Sequence, residues 1–130
     1  MKRRIFWSLF FWLIFGTWAL GITTGAAEEP YYKGKSIRII VTSGAGGLAD
    51  FHARVGARYL PKYIPGNPTI IVQNMPGGGG DIGANYVYNV AKADGRTILQ
   101  PSTGMPIRPI LGFEAVRYDP TKMSWLGSLS

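Results

Sequence analysis

Two stretches of this chain repeat one local design, and that repetition limits its fold more than any other feature. Ser36-Ile37-Arg38-Ile39-Ile40-Val41 is a short run rich in β-branched residues, followed by Thr42-Ser43-Gly44-Ala45-Gly46-Gly47. A helical pattern then begins, with Leu48, Phe51, Val55 and Tyr59 three or four apart and Arg54, Arg58 and Lys62 outside that stripe. The second unit runs Thr69-Ile70-Ile71-Val72-Gln73, then Asn74-Met75-Pro76-Gly77-Gly78-Gly79-Gly80, then a helix carrying Ile82, Val87 and Val90. Both strand runs are apolar enough to be buried on two faces, as strands of a parallel sheet are. The alternation predicts an α/β fold with a largely parallel sheet.

The connections fit this reading. Pro61 and Pro65 bracket the end of the first helix, and Gly66-Asn67-Pro68 turns the chain into the second strand. Asp81 is placed to cap the second helix with its carboxylate. After the Asp94-Gly95 turn, Arg96-Thr97-Ile98-Leu99-Gln100 predicts a third strand, followed by the loop Pro101-Ser102-Thr103-Gly104. A short apolar helix is expected from Met105 to Leu111, a turn at Tyr118-Asp119-Pro120, and a fourth strand over Trp125-Leu126-Gly127-Ser128-Leu129.

The first 27 residues are of a different kind. Lys2-Arg3-Arg4 precedes an apolar run from Ile5 to Ile22, and Thr23-Thr24-Gly25-Ala26-Ala27 supplies the small residues of a signal-peptidase site. Cleavage is expected after Ala27, with Ala26 as the alternative. The run spans about 27 Å as a helix, nearly a bilayer's hydrocarbon thickness, so an uncleaved anchor is the other reading. Either way the remainder is exported. Residues 28–35, with Tyr31 and Tyr32, read as an N-terminal strap.

Composition removes several function classes. The chain has 130 residues, 14 Lys and Arg, 7 Asp and Glu, and no cysteine. A disulfide scaffold, a thiolate metal site and a thiol nucleophile are therefore excluded. The single histidine, His52, cannot form a multi-histidine centre and reads as a helix-flank residue. Three of the basic residues lie in the first segment, so residues 28–130 carry 11 basic and 7 acidic side chains, a net of +4. No run of Lys and Arg interleaved with aromatics is left, which argues against nucleic acid as a partner. No nucleophile, base and orienter stand at a compelling spacing, so the chain is expected to bind rather than catalyse, with no metal or cofactor.

Loops 42–50, 74–83 and 101–104 each leave the carboxyl end of a predicted strand. In open α/β sheets, ligands bind beyond those ends. Glycine reaches positive φ and has no side chain, so backbone N–H groups can converge on an anion, helped by a helix N-terminus. The candidate contacts are Ser43, Gly44, Ala45, Gly46 and Gly47 in the first loop, Gly77, Gly78, Gly79 and Gly80 in the second, and Ser102 and Thr103 in the third. Asp50 joins them as a group that braces loop N–H groups. The alternative is that the glycines only make tight strand-to-helix turns. Gly44-Ala45-Gly46-Gly47-Leu48-Ala49 also matches the G-x-G-x-x-A fingerprint of dinucleotide-binding oxidoreductases. That motif calls for an acidic residue at the end of the second strand, where Val72-Gln73-Asn74 stands.

An export signal, Ile37-Arg38-Ile39-Ile40-Val41, a glycine-rich loop ending in Asp50 and Ala53-Arg54 resemble the start of a tripartite tricarboxylate transporter substrate-binding protein. Pro65-Gly66-Asn67-Pro68-Thr69-Ile70-Ile71-Val72-Gln73-Asn74-Met75-Pro76-Gly77, Gly83-Ala84-Asn85 and Asp94-Gly95 extend the resemblance. It implies the first lobe of a type II periplasmic-binding-protein fold over residues 36–130. It also implies a receptor that captures a small organic acid of the di- or tricarboxylate class in the periplasm. Such a receptor passes the acid to membrane permease subunits, and touches the membrane only through its signal or anchor segment. The ligand carboxylate would be held by backbone contacts from loops Thr42–Asp50 and Pro76–Ala84. The sequence departs from the family pattern where Leu48 replaces a glycine and Ala49 replaces a hydroxyl residue. The family is also about twice this length or more, so the chain reads as an amino-terminal part, expected to bind weakly alone and to expose apolar surface.

Overall fold

The computed structural model describes residues 28–128. The proposed signal segment and the end of the predicted fourth strand lie outside them. The chain runs through β1 (Ser36–Val41), α1 (Leu48–Tyr59), a 3-10 turn (Leu60–Tyr63) and β2 (Thr69–Asn74). A 3-10 turn (Gly78–Gly80), α2 (Asp81–Asn89), β3 (Thr97–Gln100) and a last 3-10 turn (Pro120–Lys122) follow. The strands form one parallel sheet in the order β2-β1-β3.

β1 is the centre of the molecule because it has a strand on each side and a packed layer on each face. Ile37, Ile39, Ile40 and Val41 are all buried. Ile39 and Val41 pack with Ala53 of α1, joined by Ala49, Ile70, Val72 and Ile98. A second cluster joins Ala84 of α2 to Met105 and Tyr118, with Tyr88, Leu99, Val116 and Met123 around it. Before β1, the Tyr31 hydroxyl donates to the Asp94 carbonyl at 2.7 Å and the Tyr32 hydroxyl to that of Gly95 at 3.0 Å. These bonds fasten the entering chain to the turn ahead of β3.

Both helices meet the sheet through small residues. Ala53 is buried in α1, and Gly83 and Ala84 are buried in α2. A Cβ on Gly83 would stand 3.0 Å from Thr42 Cγ2 and 3.1 Å from the Met75 carbonyl, so α2 lies close against β1 at that point. The apolar stripe of α1 is therefore not its core face. Leu48, Phe51, Val55 and Tyr59 are 72%, 60%, 40% and 50% exposed. The stripe is correctly spaced but points outward, because the alanine face approaches the sheet more closely. Likewise Ile82 of α2 and Val90, just after its end, are exposed.

Three expectations fail on local chemistry. Residues 105–111 form consecutive turns, with Met105 N–H bonding to the Ser102 carbonyl and Ile107 N–H to that of Gly104. Pro106 and Pro109 remove two amide donors that a regular helix would need there. No strand forms over residues 125–128. Instead the Trp125 indole N–H turns back onto the Pro120 carbonyl at 3.0 Å. Asp81 does not cap α2. Gly80, at φ +105°, takes the cap position, and the Asp81 carboxylate faces Arg108 and Tyr118.

Candidate functional site

The strand register places the three glycine-bearing or hydroxyl-bearing loops on one edge. Val41, the last residue of β1, pairs with Asn74 of β2 on one side and Gln100 of β3 on the other. All three strands are parallel, so loops 42–47, 75–80 and 101–104 leave side by side. The order β2-β1-β3 puts the reversal of winding between β1 and β3, where ligand crevices form in such sheets. Thr42, Gly80 and Ser102 meet there. A Cβ on Gly80 would stand 2.8 Å from Ser102 Oγ and 3.2 Å from Thr42 Oγ1.

The first loop is open and held from behind. A Cβ on Gly44 or Gly46 would meet nothing within 4 Å, and at Gly47 it would meet only the Gly44 carbonyl at 3.8 Å. Gly44, Ala45, Gly46 and Gly47 are exposed. Behind them the buried Asp50 accepts from Gly46 N–H at 2.9 Å, from Arg54 Nε at 2.9 Å and from the Asn74 side-chain amide at 2.9 Å. Asn74 also donates to the Ser43 carbonyl at 3.1 Å, and its own oxygen accepts from Arg54 Nη2 at 3.2 Å. These bonds hold the Asp50 carboxyl well below the ordinary carboxylate range, Arg54 having the largest effect, and they raise Arg54 in turn. Asp50 is thus a brace of the loop, neutralised by its own helix.

Two features of this loop remain unspent. No side chain caps the N-terminus of α1 at Gly47, because the acid of its first turn faces back to Gly46. The Ser43 hydroxyl oxygen is buried and has no hydrogen-bond partner among the described residues. A helix N-terminus has free N–H groups and partial positive charge, so this loop suits a small anion.

The second loop, by contrast, is filled by the protein itself. Gly77, Gly78, Gly79 and Gly80 all have positive φ. A Cβ on Gly79 would stand 2.8 Å from Arg108 Nη1, and one on Gly77 2.5 Å from Ile82 Cδ1. Arg108 grips Asp81 through Nε at 2.8 Å and Nη2 at 2.7 Å, donates to the Gly78 carbonyl at 2.9 Å and lies over the Phe113 ring at 3.9 Å. The Tyr118 hydroxyl donates to Asp81 Oδ1 at 3.0 Å. Arg108 and then Tyr118 lower the Asp81 carboxyl, and burial with that carboxylate pushes the Tyr118 phenol up to about 12. These glycines serve a tight turn around an internal ion pair.

In the third loop, Ser102 Oγ donates to the Gly79 carbonyl at 2.9 Å, whereas Thr103 is exposed and stands apart. His52 is half-buried, its ring centroid 6.1 Å from that of Phe51. Among the described residues no group of three His, Cys, Asp or Glu side chains could hold a metal ion. The end of β2, where a dinucleotide site needs an acid, holds Asn74, and its amide is already committed to loop 42–50. The oxidoreductase reading thus finds no support here. Sequence reasoning missed Arg54, Asn74, Arg108 and Tyr118. The signal for Arg108 was a lone charge inside Met105-Pro106-Ile107-Arg108-Pro109-Ile110, which requires a partner if that run packs.

No family model matches the chain. It is similar to curated proteins of one kind. A UPF0065 protein of Bordetella bronchiseptica is 31% identical over 103 residues, 79% of this chain and 30% of that protein. A UPF0065 protein of the gbd 5′ region in Cupriavidus necator is 32% identical over 108 residues, 82% of this chain and 32% of its own length. Protein BugT of Bordetella pertussis is 41% identical over 76 residues, 58% of this chain and 22% of that protein. The chain is therefore a relative of UPF0065 and Bug proteins, and it spans less than one third of the length of each.

Proposed function

We propose that this chain is the first-lobe portion of a periplasmic solute-binding receptor, one that captures a small organic carboxylate for a tripartite tricarboxylate-type transporter. Its similarity to UPF0065 and Bug proteins supports the receptor class. The export signal at residues 1–27 supports the periplasmic location, and permease subunits in the membrane are the downstream partners. The observation that carries the carboxylate assignment is the first loop, where an uncapped helix N-terminus, exposed glycines and an unpartnered Ser43 hydroxyl lie together. Backbone N–H groups of Gly44, Ala45, Gly47 and Leu48 hold the carboxylate, with Ser43 as the hydroxyl donor, while Gly46 N–H stays with Asp50. Asp50 stays behind the loop, since a carboxylate facing the ligand would repel it. Gly77 to Gly80 and Ser102 form the far wall, and Thr103 lies outside it.

Amide-resolved NMR titration of the chain with a panel of di- and tricarboxylates tests this reading. Shifts concentrated at Gly44, Ala45, Gly46 and Gly47 that saturate with an acid are expected. Shifts with neutral solutes only, or none at these amides, would reject the carboxylate assignment.

A further inference from the structure

Among the described residues nothing covers the outward stripe of α1, a surface with a definite chemistry. At 100° per residue, Leu48, Phe51, Val55 and Tyr59 fall within an arc of about 80°, opposite the buried Ala53. Tyr63, just beyond the helix, extends the stripe and is 73% exposed. Cations flank it. The Arg58 guanidinium lies 5.8 Å from the Tyr59 ring, and Lys62 Nζ lies 5.4 Å from the Tyr59 ring and 4.9 Å from that of Tyr63. Neither Arg58 nor Lys62 forms an ion pair among the described residues. The one acid of the helix, Asp50, is buried on the opposite side and bound to Arg54. The surface therefore offers aromatic and aliphatic side chains, cations beside them, and no exposed carboxylate.

We propose that this face of α1 docks on an anionic phospholipid bilayer surface. Large apolar residues on one arc with flanking Lys and Arg describe a helix that lies in a membrane interface, its rings at the headgroup level and its cations toward phosphate. The Tyr rings and the Lys62 stem present an apolar body with a polar tip, which suits that boundary. Charge selects this occupant over a second copy of the chain. A second copy that docks through the same face brings another set of cations against Arg58 and Lys62 and no acid of α1 to meet them. The inference is independent of the carboxylate site, which lies at the sheet edge.

The absence of cysteine permits a direct test on the full chain. Val55→Cys carries a polarity-sensitive fluorophore, and Lys92→Cys, exposed on another part of the molecule, serves as the control. Lys2, Arg3 and Arg4 favour an anionic bilayer by themselves, so the docking face is reported by the part of the lipid difference that Arg58→Glu with Lys62→Glu removes. A blue shift at position 55 in phosphatidylglycerol vesicles only is expected. Adding Arg58→Glu with Lys62→Glu, or raising the salt, should abolish it, and position 92 should stay unshifted. Three outcomes would overturn the proposal: equal or absent shifts in both lipids, a lipid-free shift that grows with protein concentration, or a lipid-free shift at every concentration. The second assigns the face to another copy, and the third to the chain itself.

Discussion

The Asn74 side-chain amide lies 2.9 Å from Asp50 Oδ1, joining the last residue of β2 to the first turn of α1. The same nitrogen reaches the Ser43 carbonyl, so one amide fixes both ends of loop 43–50. Asn74→Ala removes both bonds and leaves the Ser43 carbonyl without that donor. A loss of about 1–3 kcal/mol is expected from removing one partner of such bonds. Chemical denaturation measures it, and hydrogen exchange at Gly46 N–H should accelerate with it. Unchanged exchange at Gly46 would show that the loop stands without this brace.

Acid should loosen the fold through its two buried carboxylates. Asp50 and Asp81 are both held below their ordinary value, by Arg54 and Arg108 first of all. A carboxyl with a lowered folded pKa stabilises the protein above its unfolded value, about 4, and that stabilisation is lost as pH falls through the folded value. The thermal midpoint should therefore hold between pH 7 and about 5 and decline below about 4. The Asp81→Asn variant should start lower and decline less steeply. An identical acid slope in that variant would remove Asp81 from the account.

Tyr118 gives the corresponding expectation in alkali, with the opposite sign. Its phenol is pushed up to about 12 by burial and by the Asp81 carboxylate. Stability from the neutral phenol is complete below the ordinary tyrosine value, about 10, and is lost as pH rises through the folded value. In an ultraviolet phenolate titration, the component missing from Tyr118→Phe should be the one that ionises last. Its appearance near 10 would mean that the Tyr118–Asp81 bond does not persist in solution.

The strands were legible because β1 and β2 are β-branched runs bounded by glycine and proline, but the expected burial of β2 on two faces fails: β2 is an edge strand whose residues alternate between exposed and half-buried, with Ile71 47% exposed. The edge that gathers the loops followed from parallel topology alone. The helix faces were not legible. A stripe at 3.6-residue spacing identifies a helix, but it does not say which side the sheet takes when alanine and glycine occupy the other side. Ala53 and Gly83 allow a closer approach than Phe51 or Ile82, and that settled the orientation. In the candidate site, Ser43 and the glycines were visible as residues near strand ends. Their division into an open first loop and a filled second loop was hidden, because it depends on Arg108, which is 28 residues beyond Gly80 and reaches back to Asp81.

That division makes the glycines unequal under substitution. Gly80→Ala places a Cβ 2.8 Å from Ser102 Oγ at φ +105°, and both the collision and the conformation oppose it. A cost of about 1–3 kcal/mol is expected for a non-glycine residue held in such a region. Gly44 has open space at its Cβ and no positive φ. Gly44→Ala should change stability by no more than about 0.5 kcal/mol. Thermal unfolding of the two variants side by side checks the contrast, and equal losses would mean that the first loop is packed in solution.

Ser43→Ala separates ligand binding from fold maintenance. The Ser43 hydroxyl is buried and bonds to nothing among the described residues, so its removal breaks no internal hydrogen bond. Stability should stay within about 0.5 kcal/mol of the parent, because neither a cavity of more than one oxygen nor an orphaned partner results. Under the proposed function the same hydroxyl donates to a bound carboxylate. One net hydrogen bond corresponds to about 0.5–1.5 kcal/mol, or roughly a 2- to 12-fold weaker affinity. NMR titration with the acid that shifts Gly44 to Gly47 measures this, alongside denaturation of the free variant. Weaker binding at unchanged stability assigns the hydroxyl to the ligand, whereas lower stability at unchanged affinity assigns it to the loop.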